Sequence, residues 1–276
     1  MKKNMLKKVV AAAIVGVMGF GLVSCGNSNT TKDTDSLSKI KEKGELIVGL
    51  NADYAPYEFH ILENGEDKIV GFDIDIAEEI AKDMGVELVI KDMEFDSLLS
   101  ALTGDKLDLI ISGMSPTEER KKSVDFSDIY YIAEHGMVVR AEDKDKYKSF
   151  SDLKGQKVGA QMGSIQAGLA KDNIENVDLQ LLSNVTELLV GLKAGKIEAL
   201  VVESPVAEMI VKNNKELAIA EEKIKDEAGG SAIAIKKDSK EVVEQVNKTI
   251  KRITDEKLLD KFIIDANDLA GKNSKQ

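Results

Sequence analysis

The 276-residue chain contains no tryptophan, three prolines, two histidines and a single cysteine. One cysteine excludes an internal disulfide framework. His60 and His135 lie far apart in sequence, so no paired-histidine metal motif is present. The chain also lacks the G-x-S-x-G nucleophile elbow, the Walker A phosphate loop and the G-x-G-x-x-G dinucleotide fingerprint. Those absences weigh against the commonest hydrolase, NTPase and dehydrogenase readings. Positive charge is scarce: 38 Lys and Arg stand against 49 Asp and Glu, a net charge of −11. With no basic patch interleaved with aromatics, a nucleic acid partner is not expected.

What is present starts at the front. Lys2, Lys3, Lys7 and Lys8 precede an uncharged, largely apolar run from Val9 to Val23. A basic segment, an apolar segment and small residues after it form the pattern of a secretory signal. The run is shorter than the roughly 18–20 apolar residues of a spanning helix. Leu22-Val23-Ser24-Cys25 resembles a lipobox, the cleavage signal of bacterial lipoproteins. The resemblance implies a signal peptide over 1–24 and lipid on Cys25, anchoring the protein outside the cytoplasm to the membrane of a bacterium without an outer membrane. Removing those four lysines leaves a net charge of −15. Residues 25–40, polar and nearly devoid of apolar side chains up to Ser38, read as a flexible tether.

From Glu45 onward, strand and helix signals alternate. Strands are expected at 45–50, 86–90, 107–112, 136–141, 157–161, 179–182, 198–203 and 231–236. Helical faces are expected at 73–84, around Phe95–Leu102, and at 164–172, 186–193 and 205–211, with two more after 240. This is an α/β pattern with mostly parallel sheets flanked by helices. An internal echo recurs at an offset of 90: LLSALTGDKLDLIIS (Leu98–Ser112) and LLVGLKAGKIEALVV (Leu188–Val202). It suggests two similar lobes, with Gly113 and Glu203 at equivalent strand exits. Ligands of open α/β sheets sit beyond the carboxyl ends of strands.

The segment DLIISGMSPTEERKKSVDFSDIYY (Asp108–Tyr131) carries the strongest chemical hint. Ser115 suits a helix N-cap, Pro116 the first helical position, and Glu118 completes an S-x-x-E capping box. Arg120 follows one turn in, so a strand exit, a helix start and an arginine converge as a carboxylate site. Glu203, on the opposite lobe, is placed to take an ammonium. The pair fits a free amino acid, and nothing nearby offers a nucleophile. Asp73 opens a helix and is read as its cap.

The chain resembles the family 3 extracellular solute-binding proteins, the polar amino acid receptors of ABC importers. The resemblance rests on VGLNADYAPYEF, IVGFDIDIAEEIAKDMG, EFDSLLSALTGDKLDLIISGMSPTEERKKSVDFSDIYY (Glu94–Tyr131) and LKAGKIEALVVESPVA, in the family's order and spacing, and covers roughly Leu46–Ile264. It implies a two-lobed, type II periplasmic-binding-protein-like fold, joined by two crossover strands near 131–137 and 229–233. Lobe 1 would comprise 41–132 plus 233–276, and lobe 2 would comprise 136–229. Carried over residue by residue, it implies that Tyr54 and Phe95 stack on the ligand. Ser112, Gly113 and Ser115 would bond its head group, and Arg120 its carboxylate. Gly163, Ser164 and Ile165 would offer backbone amides, and Glu203 would take the ammonium. Gly113 and Ile165 replace family hydroxyls.

Asn51, an amide where basic amino acid receptors often carry an acid, would meet the ligand's far end. The ligand is expected to be a polar or basic L-amino acid, with glutamine, arginine and lysine ahead of acidic ones. The implied partners are an ABC permease and, through it, a cytoplasmic ATPase. The protein is expected to act as a monomer without cofactor or metal. The alternative is an enzyme on the same fold, of the cyclohexadienyl dehydratase kind.

Overall fold

The computed structural model describes residues 35–273. The signal segment and Cys25 lie outside them. Helix α1 (Ser36–Lys43) is capped by the Asp35 carboxylate, which accepts the Ser38 amide at 2.8 Å, and it ends on a left-handed Gly44. Its Ile40 is buried in the core. The flexible tether expected through residue 40 therefore does not extend over 36–40. Two apolar residues at helical spacing, Leu37 and Ile40, dock this otherwise polar stretch.

Strand β1 (Glu45–Leu50) leads into a three-stranded ribbon of β2 (Asp53–Tyr54), β3 (Glu58–Glu63) and β4 (Glu66–Val70). The order continues with α2 (Phe72–Met84), β5 (Glu87–Asp92), α3 (Phe95–Thr103), β6 (Leu109–Ile110), α4 (Glu118–Lys121) and β7 (Val124–Tyr131). Next come β8 (Glu134–Arg140), β9 (Lys157–Gln161), α5 (Ile165–Asn173), β10 (Asp178–Leu182), α6 (Val185–Lys193), β11 (Ala199–Glu203) and α7 (Ser204–Asn213). The chain closes with β12 (Leu217–Ile219), β13 (Ile224–Lys225), β14 (Ser231–Lys236), α8 (Lys240–Asp255) and α9 (Leu258–Asn273).

Two sheets organise these elements. One has the order β5-β1-β6-β14-β7, with β1 parallel to β5 and β6, and β14 antiparallel to both neighbours. The other runs β10-β9-β11-β8-β12, with β13 also on β8. Its β9, β10 and β11 are mutually parallel, and β8 is antiparallel to the rest. The chain passes from the first sheet to the second between Tyr131 and Glu134 and returns between Lys225 and Ser231. At the return, Gly230 holds φ at 130°, and a Cβ there would lie 2.2 Å from the Tyr131 carbonyl oxygen, so only glycine fits.

Each sheet is covered by helices on both faces, which is why its central strands are apolar throughout: β11 is buried along its whole length. One apolar cluster runs from Leu46, Val48 and Ile76 through Tyr54 and Tyr57 to Val185, Leu188 and Leu200, so the two lobes share packing at the ribbon. Among the described residues no helix is long and apolar enough to cross a membrane.

Candidate functional site

The carboxyl ends of β1, β6, β9 and β11 converge where the lobes touch. A small cavity there is lined by Asn51, Tyr54, Phe95, Ser112, Gly113, Gln161, Ser164 and Gln166. Asn51, Tyr54, Phe95, Ser112, Gly113 and Ser164, from both lobes, thus share one cavity. Two aromatic rings, three side-chain amides and three hydroxyls, one of them on Tyr54, make a lining that is polar and uncharged.

Each lining group is fixed by its neighbours. The Ser112 hydroxyl accepts the Asn51 amide at 3.1 Å and donates to Glu58 Oε1 at 2.5 Å. The Gly113 amide donates to Asp73 Oδ2 at 2.9 Å. Ser164 is the N-cap of α5, and its Oγ accepts the Ala167 amide. Gln161 Nε2 reaches across the lobes to Asn51 Oδ1 at 2.6 Å and also donates to the Ser183 carbonyl at 3.0 Å. Gln166 Nε2 donates to the Tyr54 hydroxyl at 3.4 Å, and that hydroxyl also accepts the Glu203 amide at 3.1 Å.

Ser115, Arg120, Gly163, Ile165 and Glu203 stand outside this lining. Arg120 is 8 % exposed and crosses between the lobes. Its Nη1 donates to the Ser115 carbonyl at 2.7 Å and its Nη2 to the Gly163 carbonyl at 3.0 Å, while its Cζ lies 5.5 Å from the centre of the Phe95 ring. Burial pulls its pKa down to about 10, so it stays charged at neutral pH. Asp226, on the return crossover, is the acid whose field opposes that fall. Gly163 approaches lobe 1 so closely that a Cβ would sit 3.0 Å from Asp96 Cβ, and its φ of 77° favours glycine independently. Ile165 is the half-buried first residue of α5.

Glu203 is 2 % exposed, and its carboxylate accepts the Tyr57 hydroxyl from the opposite lobe. Burial pushes its pKa up to about 8; the Tyr57 hydroxyl opposes the rise, and Asp226 and Asp73 add to it. Ser115 does not cap α4. Thr117 does, with its hydroxyl accepting the Arg120 amide at 3.3 Å, and the helix is a single turn. The S-x-x-E reading put the cap two residues early because Ser115 is drawn elsewhere: its hydroxyl donates to Asp226 Oδ2 at 2.8 Å. Asp73 is not a cap either. It is fully buried, Gly71 holds the cap position, and Asp73 accepts Gly113 N–H and the Tyr130 hydroxyl, each at 2.9 Å.

Sequence reasoning missed Gln161, Gln166, His135 and Asp226. His135 is fully buried on β8, with Nδ1 3.3 Å from Gln166 Nε2 and Nε2 3.9 Å from Asp226 Oδ2. Burial lowers its pKa against the pull of Asp226, which keeps it neutral near pH 7. A ring isolated within the apolar strand HGMVV was the available signal for His135. Asp226 sits in a charged run, where no local pattern marks it.

Residues 46–264 match the family described as bacterial extracellular solute-binding proteins, family 3. The chain is 38% identical over 260 residues to the arginine-binding extracellular protein ArtP of Bacillus subtilis (strain 168), covering 93% of this chain and 96% of that protein. It is 30% identical over 239 residues to the L-cystine-binding protein TcyJ of Escherichia coli (strain K12), covering 86% and 88%. The amino acid ABC transporter substrate-binding protein AbpA from Streptococcus pneumoniae Canada MDR_19A, bound to L-arginine, superposes with a TM-score of 0.82 at 44% identity, covering 84% of this chain and 98% of that one. The ancestral amino acid-binding protein AncCDT-1, a precursor of cyclohexadienyl dehydratase, superposes with a TM-score of 0.75 at 33% identity, covering 82% and 97%. With its two-lobed, type II periplasmic-binding-protein architecture, the chain belongs to the bacterial extracellular solute-binding proteins, family 3.

Proposed function

We propose that the protein is the substrate-binding lipoprotein of an amino acid ABC importer, capturing a polar or basic L-amino acid between its lobes and delivering it to a membrane permease. The observation that carries this reading is the cleft itself. It holds two rings, a hydroxyl and amide donors at a strand exit, and a buried arginine bonded to both lobes. ArtP's name and the L-arginine bound to AbpA support arginine as a candidate ligand.

When the lobes part, Arg120 loses Gly163 and the Tyr57–Glu203 bond breaks. An amino acid entering then gives Arg120 a carboxylate in place of carbonyl partners. Its ammonium favours the Glu203 carboxylate over the protonated form, and the proton leaves to water. Its side chain lies between Tyr54 and Phe95 toward Asn51 and Gln161. Charge-assisted hydrogen bonds of this kind are worth about 1.5–3 kcal/mol each, and those formed only with both lobes engaged bias the pair toward closure. Lipid on Cys25 would hold the receptor beside its permease. The protein is a receptor rather than an enzyme in this reading. No catalytic acid–base pair is recognisable in the cavity lining, and the curated relatives named above are binding proteins.

A thermal-shift screen of the twenty amino acids tests the assignment, since a ligand that binds only the native state raises Tm. The expected hits are arginine, lysine and glutamine. A flat screen, or turnover of a prephenate-like acid, overturns the receptor reading. For the anchor, Cys25→Ala is expected to move the protein from the membrane fraction to the medium; continued membrane fractionation removes lipid at Cys25.

A further inference from the structure

Directly behind the cavity lie two fully buried carboxyls, Glu58 on β3 and Asp73 in the first turn of α2. They grip consecutive residues of the same strand exit: Ser112 donates its hydroxyl to Glu58 Oε1, and Gly113 donates its amide to Asp73 Oδ2. Both carboxyls are close enough to interact directly. On each, the other oxygen, Glu58 Oε2 and Asp73 Oδ1, is buried with no partner among heavy-atom donors. A proton held between the two carboxyls would give both unpartnered oxygens a partner.

We propose that Glu58 and Asp73 share a single proton, carried on Glu58 and donated to Asp73, and that the pair positions the Ser112 hydroxyl and the Gly113 amide to receive the ligand. Neither carboxyl lines the cavity, so both are positioning residues. The assignment of the proton follows from the surroundings. Asp73 has two donors in Gly113 and Tyr130 and sits at a helix N-terminus, all of which favour its anion. Glu58 has one hydroxyl donor. The charged groups whose fields reach the pair are acids, Asp53 from β2 on Glu58 and, across the lobes, Glu203 from β11; Tyr54 and Tyr130 also face it. Burial pushes Glu58 well above the ordinary carboxylate range and Asp73 up to about 7, consistent with a retained proton.

The role in ligand binding rests on the amino acid-receptor reading; the shared proton does not. Glu58→Gln replaces the proton donor by an amide N–H and keeps the acceptor for Ser112. Glu58→Ala removes both, and Asp73→Asn removes the anion. With L-arginine as the probe in calorimetry at pH 8, Glu58→Gln is expected within about 3-fold of wild type, and Glu58→Ala and Asp73→Asn at least about 10-fold weaker. In thermal unfolding from pH 5 to 9 without ligand, wild type is expected to lose more stability with rising pH than Glu58→Gln, because only wild type must surrender the proton. Parallel curves for the two overturn the shared proton. An arginine affinity for Glu58→Gln as poor as for Glu58→Ala overturns it as well, since an ionised Glu58 would then be required. If wild type binds no amino acid, the receptor reading fails, and the unfolding curves still decide the proton.

Discussion

In the first lobe, helix α3 delivers strand β6 to the exit at Ser112 and Gly113; in the second, α6 delivers β11 to the exit at Glu203. The two helices start 90 residues apart, at Phe95 and Val185, and the correspondence extends to packing. A Cβ on Gly49 would lie 2.3 Å from Leu107 and 3.1 Å from Leu98; on Gly159 it would lie 2.6 Å from Ile197 and 2.9 Å from Leu188. Leu107 with Ile197, and Leu98 with Leu188, are again 90 apart. The helix–strand units are thus built alike, each closing onto a glycine of the central neighbouring strand. Their exits differ. After β6 the chain runs through a loop before the single turn of α4, exposing hydroxyl and amide groups to the cavity, with Asp73 and Glu58 behind them. After β11 it enters α7 at once, and the exit presents one buried carboxyl that accepts the Tyr57 hydroxyl, while the Glu203 amide donates to the Tyr54 hydroxyl. The repeated part sets the frame, and the unrepeated exits set the chemistry.

Substitutions that strike the two exits separately sharpen this contrast. Arg120→Ala, at the first exit, is expected to weaken amino acid binding by at least about 100-fold, since two charge-assisted bonds are lost, while circular dichroism stays native. Unchanged affinity in calorimetry would remove Arg120 from the site. Glu203→Gln, at the second exit, is expected to cost about 10- to 100-fold above pH 8. Wild-type affinity should rise between pH 6 and 8, because the carboxyl with its pKa of about 8 must lose its proton to pair with an ammonium. That rise should vanish in Glu203→Gln; a variant that keeps it places the titration elsewhere.

A third expectation concerns stability without ligand. Asp53, Asp73 and Glu203 have pKa values raised by burial to about 6, 7 and 8. Each favours the folded state fully below its unfolded value near 4 and loses that contribution as pH rises through the folded value. Tm should therefore fall progressively from pH 5 to 8.5; a Tm that rises over that range contradicts the buried acids. The smallest effects test the shared frame. Gly49→Ala and Gly159→Ala should each destabilise by about 1–3 kcal/mol, by similar amounts, measured by denaturant unfolding. A large cost at one and none at the other would break the equivalence of the two units.

Much of the fold was legible because its elements carry strong local signals. Strands Glu45–Leu50, Lys157–Gln161 and Ser231–Lys236 fall where the apolar runs placed them. Asp53–Tyr54, Glu58–Glu63 and Glu66–Val70 gave no such run, because the ribbon is half exposed and alternates charge with apolar residues. Strand β7 was overlooked for a similar reason, since VDFSDIYY mixes acids into an edge strand. In the cavity lining, Ser112 and Gly113 follow an apolar strand that the sequence marks. Gln161 also ends a strand and Gln166 lies in the first turn of a helix, but neither glutamine has a distinctive neighbour in sequence; their partners Asn51 and Tyr54 come from the other lobe.

The amino-acid sequence by itself determined the alternation of strands and helices, the 90-residue echo, the acidic balance and the strand exits that carry functional groups, because each depends on residues close together in the chain. Only the tertiary structure decided that Arg120 bonds to the Gly163 carbonyl, that Ser115 turns to Asp226, and that Asp73 accepts from Gly113 and Tyr130 instead of capping its helix. Those outcomes depend on which polar groups burial brings together from distant segments. Once water is excluded, each buried donor and acceptor takes the partner within reach, whatever its neighbours in sequence had suggested.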